Sequence, residues 1–324
     1  MRRKGVSYSK YGYIFSLPFI LVFLVFSLYP ILYTAFIGFT DMKGVIPKPI
    51  HILDNPFQNF KELIVDNVSF RQSLINTFIL WIANFIPQIA LALLLTAWFT
   101  NRRLNIKGQG AFKVLLYMPN IITASTIAVL FSTLFAYPMG PVNSLFHALG
   151  WSDAPIQFLQ SRNTARGIVS FIQFWMWYGN TMIVLIAGVM GINPALFEAA
   201  SIDGASGVQT FFRVTLPSLR TILLYSLITS MIGGLQMFDI PQLFITPAGG
   251  PDNATLTTSV FIYGQAFKGS YMYNKAAAAS MIMFIIAAVL SALLFYLMRD
   301  RGEAKIRKQH KKIEKAAKAA ARGM

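Results

Sequence analysis

Residues 193–217 read NPALFEAASIDGASGVQTFFRVTLP, a polar interruption between two apolar runs, Gly167 to Gly191 and Leu219 to Phe238. Each run is long enough to cross a bilayer, so the stretch between them is a loop at one membrane face. Local signals make that loop helical. Asn193 is an N-cap acceptor placed before Pro194, whose missing N–H costs nothing in a first helical turn. Gly204 stops this helix, and Ser206 with Gln209 three residues on has the spacing of a capping box. A second helix is predicted from there to about Val214, before Pro217 opens the next span. The first helix carries Ala199 and Ala200 beside Ile202, with Ala205 just beyond it and Glu198 and Asp203 as its only charges. Such a small apolar face suits close approach by another protein; an interfacial hairpin without a partner is the alternative.

Composition points the same way. Of 324 residues, 55% are hydrophobic and 12% charged, which is too apolar for a soluble α/β enzyme. Cysteine is absent, so the chain has neither disulfides nor thiolate chemistry. His51, His147 and His310 are scattered, and neither a metal-ligand spacing nor a phosphate-binding GxxxxGK[ST] occurs. The net charge of +16 invites a nucleic-acid reading, but ten of the basic residues lie after Leu297, directly behind a span. A basic tail there is better read as cytoplasmic and in contact with anionic lipid headgroups. No nucleic-acid partner is expected.

Taken in order, the chain opens with a basic segment, 1–10, and an apolar run from Tyr11 to about Phe39, too long for a signal peptide and without a cleavage site. Pro18 and Pro30 are predicted to kink this first span. A mixed-charge loop from Asp41 to Ser73 precedes a second span over Leu74 to Trp98. The third, Val114 to Phe135, has Pro119 near its start; the sixth is Ala276 to Met298. Counting Lys and Arg by loop puts twenty on the side holding both termini and the 193–217 loop, and eight on the other. The predicted fold is therefore an all-α membrane protein, 11–298, of six transmembrane helices. A cytoplasmic helix-turn-helix joins helices 4 and 5, and both termini, 1–10 and the tail 299–324, are cytoplasmic.

At the loop the resemblance becomes specific. Glu198-Ala199-Ala200, Asp203-Gly204-Ala205 and Leu216-Pro217 are similar to the E-A-A, G and I-x-L-P signature of the integral membrane subunits of binding-protein-dependent ABC importers, with Val214 in place of the usual Ile. Two further stretches resemble the carbohydrate permeases of that group. GPVNSLFHALGW, from Gly140, resembles their G-x-x-N connection, and Gly249, Gly250, Pro251, Thr255, Ile262, Tyr263, Ala266 and Phe267 match their GGP stretch. Thr246 lies one residue further from the glycine pair than that pattern expects. The resemblance implies a bacterial inner-membrane permease subunit of the maltose- or glycerol-phosphate type. It implies as partners a second homologous permease, two ATPase subunits that hold ATP and Mg, and an extracytoplasmic solute-binding protein. The loop would be the coupling helix, docked into the ATPase. No cofactor, metal or catalytic residue is implied in this chain.

The spans are almost free of charge, with Asp239 at the outer end of the fifth as the nearest exception. Carriers that couple to protons or ions bury ionisable groups, so an outside energy source fits better than a stand-alone facilitator or channel, the alternative reading. Trp177, Tyr178, Asn180, Gln236 and Asp239 are the densest set of groups able to stack on sugar C–H faces and bond hydroxyls, and they are the candidate substrate path. Interfacial aromatic belts and helix-gluing amides account for the same residues without a substrate. Gly233-Gly234, with Ser230 four residues before Gly234, is predicted to pack a partner helix.

Overall fold

The computed structural model describes residues 9–46, 49–101, 104, 106–245, 247–269 and 271–298. In chain order its helices are α1 (Ser9–Phe23) and α2 (Tyr29–Ile37), joined by a π turn over Leu24–Leu28; α3 (Gln58–Lys61), leading into a π turn over Glu62–Asp66; α4 (Val68–Thr100); α5 (Gln109–Ile121); α6 (Ala124–Leu134); and α7 (Pro141–Ala148). There follow α8 (Arg162–Met190), α9 (Pro194–Ile202), α10 (Gly207–Thr210), a π turn over Phe211–Thr215, α11 (Leu216–Ser218), α12 (Arg220–Leu235), α13 (Asp239–Leu243), α14 (Thr258–Phe267) and α15 (Tyr273–Met298). Among the described residues no strand forms, and β pairing is confined to a bridge between Thr40 and Ile52. The basic residues Arg2, Arg3, Lys4, Lys48, Arg102 and Arg103, Thr246 and the tail from 299 lie outside the described residues.

Five segments are long and apolar enough to cross a membrane: Tyr11–Ile37, Val68–Thr100, Arg162–Met190, Arg220–Leu243 and Tyr273–Met298. α5 and α6 pass that test only as a pair bent by 91°, so the described spans number five, or six if the pair is one. The first segment is exposed along most of its length, with Ile37 at its end buried. Tyr13, Phe15 and Phe19 are 77%, 81% and 74% exposed, and leaving such side chains in water forgoes about 1.5–3 kcal/mol each. This helix is built for an apolar surround.

Prolines decide where the helices change form. Pro30 has no N–H for the Phe26 carbonyl, and the N–H of Tyr29 reaches back five residues to Leu24, which makes the π turn. Leu216, just before Pro217, does the same with Phe211. Over the predicted third span, Val114 to Phe135, the chain forms two helices bent by 91°. α5 carries Pro119 near its end, and Thr123 caps a new helix by accepting the Thr126 N–H at 3.3 Å. The fifth breaks earlier than predicted, after Leu235. Pro241 cannot donate to the Met237 carbonyl, and the Thr257 hydroxyl takes that carbonyl at 2.8 Å instead.

The described chain forms two compact bodies. One comprises residues up to 88, 118–177 and 233–286. Its core gathers Leu80, Ile127, Phe131, Ile172, Met237, Ile240 and Phe244 from α4, α6, α8 and the stretch around α13. A second cluster joins Leu63 and Phe70 to Phe261, Ala278 and Ala279. Buried amides lock this end: Asn59 donates to the carbonyls of Gly38 and Thr40, and Asn274 donates to Asn59 at 3.1 Å. Beside them Glu62 accepts from Gln58 and pairs with Lys275 at 3.0 Å, and these two contacts, the Gln58 hydrogen bond first, hold its carboxyl below the usual range.

The other body comprises 89–117, 178–232 and the chain from 287 onward. Its helices meet at glycines. A Cβ on Gly179 of α8 would stand 2.4 Å from the Leu116 carbonyl of α5, and one on Gly188 would strike Ile222 and Leu219 at 2.7 and 2.8 Å.

Candidate functional site

The 193–217 hairpin lies wholly in the second body. Asn193 caps α9 by accepting the Ala195 N–H at 3.0 Å, with Pro194 in the first turn. The end of α9 gives the motif its spacing. Gly204 is left-handed at φ +73°, its N–H bonds Ser201, and the N–H of Ala205 reaches back to Ala200 at 2.9 Å. That pair of bonds is a Schellman turn, which wants Gly at its left-handed residue and an apolar contact across it. Ala200, buried, and Ala205, half-buried, occupy those contact positions. The Ala-Ala and Gly-Ala of the sequence are thus the two halves of one turn. Ser206 and Gln209 then close the predicted capping box, at 3.2 and 2.7 Å, and start α10. Leu216 and Pro217 form α11, so the second helix runs past Val214 by way of the π turn.

The hairpin has an inner and an outer face. Inward, a cleft of about 210 Å³ lies between it and the end of α4, lined by Asn101, Phe197, Glu198, Gly207 and Phe211 among others. A Cβ on Gly207 would stand 2.7 Å from the side-chain nitrogen of Asn101, the residue after α4, so α10 begins close against that side chain. Outward, Leu196, Ala199 and Ile202 recur every third residue on α9 and are exposed, as are Val208 and Phe212; Ile202 is 86% exposed. Glu198 and Asp203 flank this apolar face and are also exposed. The outer face of the hairpin is therefore an exposed apolar strip rimmed by acids on a short capped helix.

The candidate path residues differ in exposure. Trp177 is 45% exposed, whereas Tyr178 is buried at 6% exposed. Asn180, three residues beyond Trp177 and hence on the same side of α8, is half-buried. Gln236 lies in the break between α12 and α13, and Asp239 opens α13; both are exposed. Trp177, Gln236 and Asp239 belong to the first body, and Tyr178 and Asn180 to the second.

Sequence reasoning missed a polar clamp around the GGP stretch. Asn76 of α4 donates to the carbonyls of Asn253 and Leu256 at 2.6 and 3.0 Å, and its own oxygen accepts from Arg166 at 2.6 Å. Arg166 also donates to the Ala254 carbonyl at 2.9 Å. Thr255, Thr257 and Thr258 are fully buried, and Thr258 pairs with Thr77 through both its N–H and its hydroxyl. The GGP residues therefore build a rigid loop held by α4 and α8. The available signal was an Asn-Thr pair inside an apolar span, since such groups need partners.

Comparison with known proteins agrees with this architecture. Residues 63–308 match the family described as the binding-protein-dependent transport system inner membrane component. The lactose transport system permease protein LacF of Rhizobium radiobacter is 33% identical over 91% of this chain and 96% of its own length. The arabinooligosaccharides transport system permease protein AraP of Bacillus subtilis is 30% identical over 90% of each chain. Among solved structures, a chain of a bacterial ABC transporter involved in the import of the acidic polysaccharide alginate superposes with a TM-score of 0.71. Its identity is 25%, over 89% of this chain and 94% of that one. The chain belongs to the family of binding-protein-dependent transport system inner membrane components.

Proposed function

We propose that the chain is one permease subunit of an ATP-driven ABC importer and forms half of a translocation path for a sugar or oligosaccharide. The 193–217 hairpin is the coupling element, facing the cytoplasm and docked into an ATPase subunit. The observation that carries this reading is the hairpin itself: a Schellman turn and a capping box hold an exposed apolar strip on a rigid mount. Family membership assigns transport, not catalysis, and relatives named for lactose and arabinooligosaccharides support a carbohydrate cargo.

The rest of the assembly follows from that role. A second homologous permease supplies the other half of the path, and two ATPase subunits hold ATP and Mg. An extracytoplasmic solute-binding protein delivers the sugar, as an alginate-importer structure that includes its periplasmic protein and a bound pentasaccharide supports. Counting the bent α5–α6 pair as one span gives six, with both termini, 1–10 and 299–324, in the cytoplasm and the tail against lipid headgroups. Trp177, Asn180, Gln236 and Asp239 line the path; Tyr178 supports it from within.

Gly204→Val tests the coupling role. A β-branched residue at φ +73° costs on the order of 1–3 kcal/mol, so the turn should deform and re-aim Ile202. In the reconstituted transporter, sugar- and binding-protein-stimulated ATP hydrolysis should fall at least tenfold, about 1.4 kcal/mol in coupling, with the chain still inserted. Normal stimulation in an assembled Gly204→Val complex would remove the coupling role. Uptake that continues without the ATPase subunits would favour a stand-alone facilitator.

A further inference from the structure

A groove in the first body has no role in the coupling hairpin or in the candidate path. About 420 Å³ in volume, it is lined by Phe135 and Ser132 from the end of α6, Tyr137, Gln157 and Gln160 from the loops that follow, and Phe244 beyond α13. That volume falls within the range of roughly 300–1,000 Å³ usual for small-molecule sites. Its floor is fixed. Phe244 and Ile245 are buried, and Phe135 stands edge-on to buried Phe158 at 5.4 Å.

The backbone that carries the two glutamines is also held. Gln157 and Gln160 sit on either side of Phe158, in a turn closed by the Gln160 N–H on the Gln157 carbonyl at 3.1 Å. Asn143 of α7 grips the start of this loop through both hydrogen bonds of Ile156, at 2.8 and 3.1 Å, and the Thr164 hydroxyl donates to the Phe158 carbonyl. Among the described residues, the side chains of Gln157, Gln160 and Tyr137 make no hydrogen bond to the protein. Two amides and a phenol are thus presented, unspent, around an aromatic floor. Among the described residues that line the groove, none is charged.

We infer that this groove is an extracytoplasmic saccharide subsite that receives a neutral sugar ring before it reaches the path. Aromatic faces suit the C–H faces of a pyranose, and primary amides both donate to and accept from vicinal hydroxyls. The absence of charge favours a neutral sugar over a charged protein loop. A second groove of the same body, about 450 Å³, shows the contrast: it holds Arg71, Arg162, Arg166 and Asp252, and Arg71 and Arg166 are already occupied with backbone carbonyls. The saccharide groove is also placed for handover. Its floor residue Phe244 follows α13, which opens at Asp239, about 8 Å away along a helix of that length.

The subsite rests on the proposed sugar-import role and on the orientation that puts the α6–α8 connection outside. The chain contains no cysteine, so a single Gln157→Cys can be followed with a membrane-impermeant maleimide in the full transporter in nanodiscs. Lactose, maltotriose and raffinose serve as probes, with exposed Asp153→Cys as the control. A sugar that the wild-type transporter imports should slow modification of Gln157→Cys saturably, by at least about threefold, and leave Asp153→Cys unchanged. Gln160→Ala should raise the KM for uptake of that sugar roughly threefold to tenfold, as loss of one hydrogen bond does.

If the imported sugar gives no protection and Gln160→Ala leaves KM unchanged, the subsite is refuted while the importer role stands. Protection by the binding protein without sugar would make the groove a protein-docking surface, and refutes the subsite too. If none of the three sugars is imported by the wild type and none protects, the importer reading for neutral sugars and the subsite fall together.

Discussion

Gly233 and Gly234 are neighbours in α12 with opposite surroundings. A Cβ on Gly234 would stand 2.4 Å from Cδ1 of Trp81, while one on Gly233 meets nothing within 4 Å. The indole cannot easily yield, because Phe78 and Phe85 pack on it at 6.0 and 5.4 Å. Gly234→Ala should therefore cost about 1–3 kcal/mol as an overpacked contact, and Gly233→Ala should stay within about 0.5 kcal/mol of wild type. Thermal unfolding of the purified subunit in detergent checks the pair; equal midpoints would deny the Trp81 contact. The packing role read from the glycine pair thus belongs to one of the two, and its partner on α4 could not be named from spacing. Nor could the close approach at Gly179, since a lone glycine in an apolar span gives no sign of which backbone comes near it.

At the level of elements, the hairpin was the most legible part because its signals are local. A capping box, a left-handed glycine and an N-cap Asn each act within about six residues, and all three are present where the spacing put them. The span breaks were less legible because proline sets a constraint without stating the response. Pro30 and Pro217 each follow a π turn, whereas Pro241 follows a full break and Pro119 precedes one. The difference lies in what takes the orphaned carbonyl, and that partner can be distant in sequence. For Pro241 it is Thr257, which donates to Met237 from twenty residues away. Thr257→Val should strand that buried carbonyl and cost about 1–3 kcal/mol. Adding Pro241→Ala restores an N–H four residues from Met237, so the double variant should recover part of the loss. A double-mutant cycle by thermal unfolding with no coupling energy would mean that the hydroxyl does not hold the break.

For the molecule as a whole, charge and polar chemistry work at different ranges. The uneven distribution of Lys and Arg is what the proposed orientation rests on, since every loop contributes to it, and the apolar spans give the membrane class because exposed helices such as α1 have no other stable surround. Side-chain type and local density nominate the path residues, and helix phase then separates those on α8: Trp177 and Asn180 share a side, and buried Tyr178 does not. Phase therefore makes a sharper expectation than composition. Trp177→Ala removes a half-exposed stacking surface and Gln236→Ala removes an exposed amide at a helix break, so each should raise the KM for sugar uptake or shift sugar preference, by roughly threefold to a hundredfold for contacts worth about 0.5–3 kcal/mol. Tyr178→Phe keeps the buried ring and should leave sugar preference as it is, though it can alter stability. Uptake kinetics of the reconstituted importer separate the two classes. If Tyr178→Phe changes preference while Trp177→Ala and Gln236→Ala do not, the path runs along the other side of α8, and the exposed tryptophan faces lipid or the second permease.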